Sequence, residues 1–199
     1  EVLTSFYVIP LVIQELAIGL SVGLTLTILF AAVGLAGEKI AATSGLSFAM
    51  QVDPSGGGQS PVISQMLTLF LLVIFFSLNG HMLILALVIE SYNTVPIGRA
   101  VVFPVMIQTG IDAGGLMFAF AASIMLPIVA VLFIINLAIG VITKSAPQLN
   151  LFSFGFPISM IGIFVLLYLW VDVLGGAMDD LSHAAIENVQ SVLGAISNG

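Results

Sequence analysis

Apolar residues run in four long blocks, at 6–35, 66–89, 116–142 and 151–174, separated by shorter stretches rich in Gly, Pro and polar residues. About 20 consecutive apolar residues suffice to cross a bilayer core as a helix. The pattern therefore predicts an all-α, membrane-type protein of long kinked hairpin helices. At 1.5 Å per residue the first block is about 45 Å long, more than one hydrocarbon core requires, so it is tilted, kinked or projecting. The second block, LTLFLLVIFFSLNGHMLILALVIE, reads as one helix with a local irregularity at Asn79-Gly80, the alternative being two shorter helices hinged there. Pro127 in the third block removes one helical hydrogen bond and crowds the carbonyl four residues back, which predicts a kink.

The connector at 90–115 ends in VVFPVMIQTGIDAGG, expected as a short interfacial helix between spans. TKSAPQLN, 143–150, is a compact polar connector, and Tyr168 and Trp170 mark the headgroup level near the end of the fourth block. Beyond it the period changes. Met178, Leu181, Ala185, Ile186, Val189, Val192, Leu193 and Ile196 recur at threes and fours, with Asp179, Asp180, Glu187 and Asn188 elsewhere on the wheel. That spacing predicts an amphipathic helix with an acidic face. The chain divides accordingly into a helical body, 1–174, and a C-terminal helix, 175–199.

One connector stands out. Residues 45–62, GLSFAMQVDPSGGGQSPV, are too apolar at one end and too glycine-rich in the middle for an ordinary turn. Pro54 and Pro61 bias Asp53 and Ser60 toward extended backbone, so two stiff points enclose the pliable run Gly56-Gly57-Gly58. Unpaired amides cannot be left in lipid, so such a loop reaches water or is enclosed by protein. Three further polar residues sit within apolar blocks and are candidate intramembrane polar contacts: Glu15, His81 and Asn136. A carboxylate at Glu15 needs a partner, a proton or water, so it marks an interhelix contact or a pore-side position. His81, with neither Cys nor a second His nearby, reads as a packing histidine rather than a metal ligand.

Composition narrows the function classes. Hydrophobic residues make up 60% of 199 and charged residues only 7%, far below the roughly 25% that solvates a soluble domain. The net charge of −7, with only three basic residues (Lys39, Arg99 and Lys144), disfavours nucleic acid and anionic headgroups as partners. No Cys is present, which removes disulfides and thiolate metal sites. No phosphate loop, zinc-binding HExxH or GxSxG elbow occurs, and the titratable groups are few and scattered. The expectation is a non-enzymatic protein without cofactor, metal or catalytic residue. Folding could still gather Glu15, His81 and Asp112, so from composition alone an ion-coupled transporter or channel subunit is the alternative to a conduit-forming subunit. The chain starts at Glu1 with no basic leader or cleavage pattern, and preceding segments are expected.

Three separated runs, GLSFAMQVDPSGGGQSPVISQ, SLNGHMLIL and NLAIGVITKSAPQLNLFSFGFP, occur in this order and closely resemble the FliR/SctT family of type III secretion export-gate proteins, in its flagellar branch. The resemblance covers about residues 19–171. It implies a non-enzymatic core subunit of the flagellar protein export gate in the bacterial inner membrane, within the flagellar basal body. Family members join FliP and FliQ in a right-handed helical gate, typically five FliP, four FliQ and one FliR. FlhB lies around that gate and FlhA adjoins it; unfolded flagellar export substrates pass through, and lipid surrounds it. The resemblance also implies that residues 48–61 occupy the channel interior as a plug. Phe48 and Met50 would form an apolar constriction, Asp53 and Pro54 its anchor, Gly56, Gly57 and Gly58 its movable part, and Gln59, Ser60 and Pro61 its return.

Overall fold

The computed structural model describes residues 8–44, 62–94, 103–146 and 154–198. Among them every element is an α-helix: α1 (Val8–Thr43), α2 (Val62–Ser77), α3 (Gly80–Thr94), α4 (Phe103–Ser145), α5 (Phe156–Leu169) and α6 (Val171–Asn198). The predicted all-α class holds. By length and composition α1 and α4 can each cross a membrane, and up to four spans result if the bent pairs α2–α3 and α5–α6 each count as one.

Several boundaries differ from those the hydropathy pattern predicts, each for a local reason. The first block continues past 35 through Glu38 and Lys39 to Thr43. That charged pair is exposed while Ala36, Gly37, Ile40 and Ala41 are buried, so the charges occupy the outer face of a helix rather than ending it. The second block is two helices, meeting at 63°, not one helix with an irregularity. Asn79 adopts φ 54°, the left-handed region that Asn tolerates better than most residues. Its N–H closes on Phe76 O at 3.0 Å, and its carbonyl accepts from Met82 and Leu83 N–H at 3.0 and 3.1 Å, ending one helix and starting the next. A Cβ at Gly80 would collide with the Phe75 ring, so glycine is required beside the bend.

The interfacial helix expected within 101–115 is instead the opening of α4, which starts at Phe103 and continues without a break through Gly114-Gly115 and Pro127 to Ser145. Pro104 lies in the first turn, where a missing N–H is not felt, and the side chain of Gln108 donates to Asp112 Oδ1 at 3.0 Å one turn on. Over 43 residues the glycine pair, at about 1 kcal/mol each, does not interrupt so long an apolar helix. The fourth block ends at Trp170, where the chain bends by 65°. Trp170 (φ −99°, ψ 9°) closes α5, its N–H donating to Leu166 O at 2.9 Å while its carbonyl accepts from Leu174 N–H at 2.8 Å. The amphipathic helix therefore begins at Val171 rather than near Met178.

The chain forms two compact units. The first takes in described residues within 1–31, 73–118 and 179–199. Its core joins Ile18 and Val22 of α1, Phe75 of α2, Ile84 of α3, and Val189, Val192, Leu193 and Ile196 of α6. Phe30 meets Phe75 edge to face, ring centroids 5.0 Å apart, an arrangement favoured by the ring quadrupoles. The second unit spans 32–72 and 119–178. Its buried side chains include Val33 and Ile40 of α1, Ile63 and Leu71 of α2, Ile128 and Leu132 of α4, and Ile163 of α5. Large apolar side chains such as Leu16, Leu69, Phe118, Ile134, Phe164 and Leu169 remain exposed. Exposure on that scale suits lipid or partner chains rather than water.

Candidate functional site

Residues 45–61 carry all the plug candidates, Phe48, Met50, Asp53, Pro54, Gly56, Gly57, Gly58, Gln59, Ser60 and Pro61, and lie outside the described residues. What the structure does place is the two roots of that segment, Ser44 and Val62, with the contacts that fix them. Both belong to the second unit.

The outgoing root is the end of α1. Asn136 on α4 donates from its side-chain nitrogen to the Thr43 carbonyl at 2.8 Å. Its carbonyl oxygen accepts from the Ser159 hydroxyl of α5 at 3.1 Å. Thr43 O is among the last α1 carbonyls, which have no partner within the helix, so Asn136 answers an unmet acceptor. One amide thus ties together α1, α4 and α5. Ser44 is itself buried, its hydroxyl donating to Ala41 O at 2.7 Å. The predicted contact residue Asn136 is therefore a clamp at the loop root.

The returning root is the start of α2. Ser64, in its first turn, donates to the Gly34 carbonyl of α1 at 3.0 Å. A Cβ on Gly37 would come within 2.5 Å of Ser64 Cα and 2.9 Å of Ser64 N, whereas one on Gly34 would meet only Ser64 Oγ, at 3.7 Å. The two backbones are close enough that only glycine fits at 37. Ser64 escapes a reading of the sequence because a hydroxyl bonded to backbone looks the same whether it bridges helices or its own turn, and Thr43 because the atom it contributes is its backbone carbonyl. Gly34 and Gly37 were visible as small residues, but their partner, 30 positions from Gly34, was not.

Glu15 and His81 lie in the first unit, at different places. Glu15 faces a small pocket of about 50 Å³ lined also by Ile18, Gly19, Val22, Val88, Ser91, Tyr92 and Leu193. Its Oε1 is buried with no hydrogen-bond partner. His81, the second residue of α3, packs against Phe76 with ring centroids 4.8 Å apart and planes tilted by 56°, and its Nδ1 is likewise buried and unpartnered. Asp112 is engaged by Gln108. Folding does not gather the three: among the described residues no group of His, Asp and Glu is placed to hold a metal ion. What the described geometry offers is two fixed points within one unit, Thr43 with Ser44 on one side of residues 45–61 and Ser64 on the other.

Residues 2–185 match the family described as bacterial export proteins, family 1. The chain is similar to flagellar biosynthetic protein FliR of Escherichia coli strain K12, at 35% identity over 156 residues, 78% of this chain and 60% of that protein. It is 37% identical over 157 residues to the FliR of Pectobacterium carotovorum, again covering 78% and 60%. The FliR of Bacillus subtilis strain 168 matches at 30% over 192 residues, 94% of this chain and 73% of the relative. The chain thus spans about 60% of the length of the first two relatives.

Proposed function

The chain belongs to the bacterial export proteins, family 1, and from that premise we propose that it is a non-enzymatic, membrane-embedded subunit of a flagellar protein export gate, in which residues 45–61 seal the channel at rest. Its partners in this reading are FliP and FliQ, in the five-to-four arrangement around one copy, with FlhB and FlhA adjoining, in the inner membrane at the flagellar basal body. Its cargo is unfolded flagellar protein. The observation that carries the sealing role is the double fixing of the loop roots, at Thr43 by Asn136 and Ser159 and at Ser64 by Gly34 and Gly37. A seal must return to one position after each passage, and a glycine-centred loop with both ends held by a single unit does so without a latch. Phe48 and Met50 supply side chains that exclude water and ions yet adapt to varied chains.

The test is electrical. Planar bilayers carrying the whole gate are compared with gates in which Gly56–Gly58 are deleted or Phe48 and Met50 are both replaced by Ala. Resting small-ion conductance rises in both variants if the loop seals. Conductance equal to the parent in both excludes the sealing role.

A further inference from the structure

The first unit turns two faces of opposite character away from one core. Ile18, Val22, Leu26 and Phe30 of α1 share that core with Ile186, Val189, Val192, Leu193 and Ile196 of α6. On α1 the exposed residues between 16 and 27 are Leu16, Gly19, Leu20, Gly23, Leu24 and Thr27, and Thr27 donates its hydroxyl to Gly23 O at 2.8 Å. On α6 the exposed residues between 180 and 191 are Asp180, His183, Glu187, Gln190 and Ser191. A face such as that of α1 suits lipid or an apolar partner.

The α6 face suits neither. Carboxylates in lipid are expensive unless paired, and the described residues of this unit include no Lys or Arg. Asp179 meets His183, whose Nδ1 lies 3.5 Å from its Oδ2 with the two side chains 60% and 47% exposed. Among the described residues Asp180 and Glu187 have no ion-pair partner. A protein partner fits poorly as well, because the face offers no aromatic or large apolar anchor, and Asp, Glu and Ser are residues that interfaces lack. The polarity is also one-sided. Leu181, Ala185 and Val189 are fully buried behind it, and from 180 to 190 it runs about 15 Å along the helix axis. A helix end that simply emerges from lipid into water would be polar all round.

We propose that the 180–191 face of α6 is the hydrated wall of an aqueous space that extends alongside the apolar part of α1. The chain beyond the Trp170 bend is then not the second half of a lipid-crossing span, although its length and composition would allow one. The wall rests on the chain being membrane-embedded and is independent of what residues 45–61 do.

The 199 residues contain no Cys, so single cysteines report on their surroundings. Membranes from cells making the full-length protein with its native neighbours are ruptured to open both sides, then treated with a trimethylammonium methanethiosulfonate. This cation does not enter lipid. A cysteine thiolate displaces methanesulfinate from it to form a mixed disulfide, and mass spectrometry of the chain reads the fraction modified with time. Asp180→Cys, His183→Cys, Glu187→Cys and Gln190→Cys are expected to react at least about tenfold faster than Leu16→Cys, Leu20→Cys and Leu24→Cys, since apolar surroundings suppress the thiolate. Rates are taken relative to the same variants denatured, and all seven positions are exposed, so the substitutions leave the core alone. Where one variant chain is not recovered, the other positions of its face decide.

Cysteines on α6 as slow as those on α1 overturn the wall and leave the membrane-embedded reading standing. Fast reaction at 180 with slow reaction at 187 and 190 marks a helix end leaving lipid and overturns it too. Cysteines on α1 as fast as those on α6 put the whole unit in water and overturn both the wall and the membrane-embedded reading, which separates the two failures.

Discussion

At Asn136 a single amide bonds to both the Thr43 carbonyl and the Ser159 hydroxyl, so substitutions there discriminate between its two ends. Asn136→Leu removes both bonds. It is expected to cost about 1 kcal/mol, the net worth of polar contacts between membrane helices, read as a lower thermal midpoint of the detergent-solubilised chain. Asn136→Asp keeps an acceptor for Ser159 but turns an oxygen toward the Thr43 carbonyl, and is expected to cost more than Leu. Should Asp be as stable as the parent, the Thr43 contact does not matter. Gly37 and Gly34 give a sharper contrast. Ala at 37 forces backbone of α1 and α2 apart, for which about 1–3 kcal/mol is expected by analogy with overpacked cores. Ala at 34 meets one hydroxyl at ordinary contact distance and is expected to be close to neutral. Equal midpoints for Gly34→Ala and Gly37→Ala would show that the close crossing at Ser64 is not where the structure puts it.

At the scale of elements, the two bends differ in how visibly the chain announces them. Asn79-Gly80 is a turn signal within an apolar block, and the bend is built from both residues: Asn79 takes the left-handed conformation and Gly80 makes room for Phe75. Asn79→Gly is therefore expected to retain stability, Asn79→Ala to lose about 1 kcal/mol, and Gly80→Ala to lose more. Phe75 is wedged against Phe30 in the core of the first unit and has little room to yield. Thermal unfolding of the three variants tests this order, and Gly80→Ala matching Asn79→Gly would refute it. The bend at Trp170 has no such warning, since Tyr168, Leu169, Trp170 and Val171 contain neither Gly nor Pro. Its residues suit a continuous helix, and only the change from an all-round apolar surface to the one-sided burial of Met178, Leu181, Ala185 and Val189 accompanies the change of direction. Conversely, Gly114-Gly115 carries a breaker's signature and breaks nothing. Local propensity decides an element's end only where the apolar pattern on both sides does not override it.

For the molecule as a whole, what could be read from the sequence was whatever depends on long runs of residues. The all-α class and the membrane character follow from hydropathy, and Asn136 was legible as a polar residue in an apolar block. Its partners were not, because Thr43 lies 93 positions away and Ser159 lies 23 away, and no periodicity encodes a contact between helices. The same limit hid the unmet oxygen of Glu15, whose pocket takes residues from α1, α3 and α6. Joining the mapped roots to the loop between them gives a prediction that neither supports alone. If the loop seals because its ends are held, loosening a root must leak as altering the tip does. Asn136→Leu frees the outgoing root and Gly37→Ala displaces the returning one, and neither touches a residue of the loop. Whole gates carrying either variant are expected to show raised resting conductance, smaller than that from deletion of Gly56–Gly58. A leak from the tip deletion alone, with both root variants tight, would mean that the loop is positioned by neighbouring chains rather than by this one.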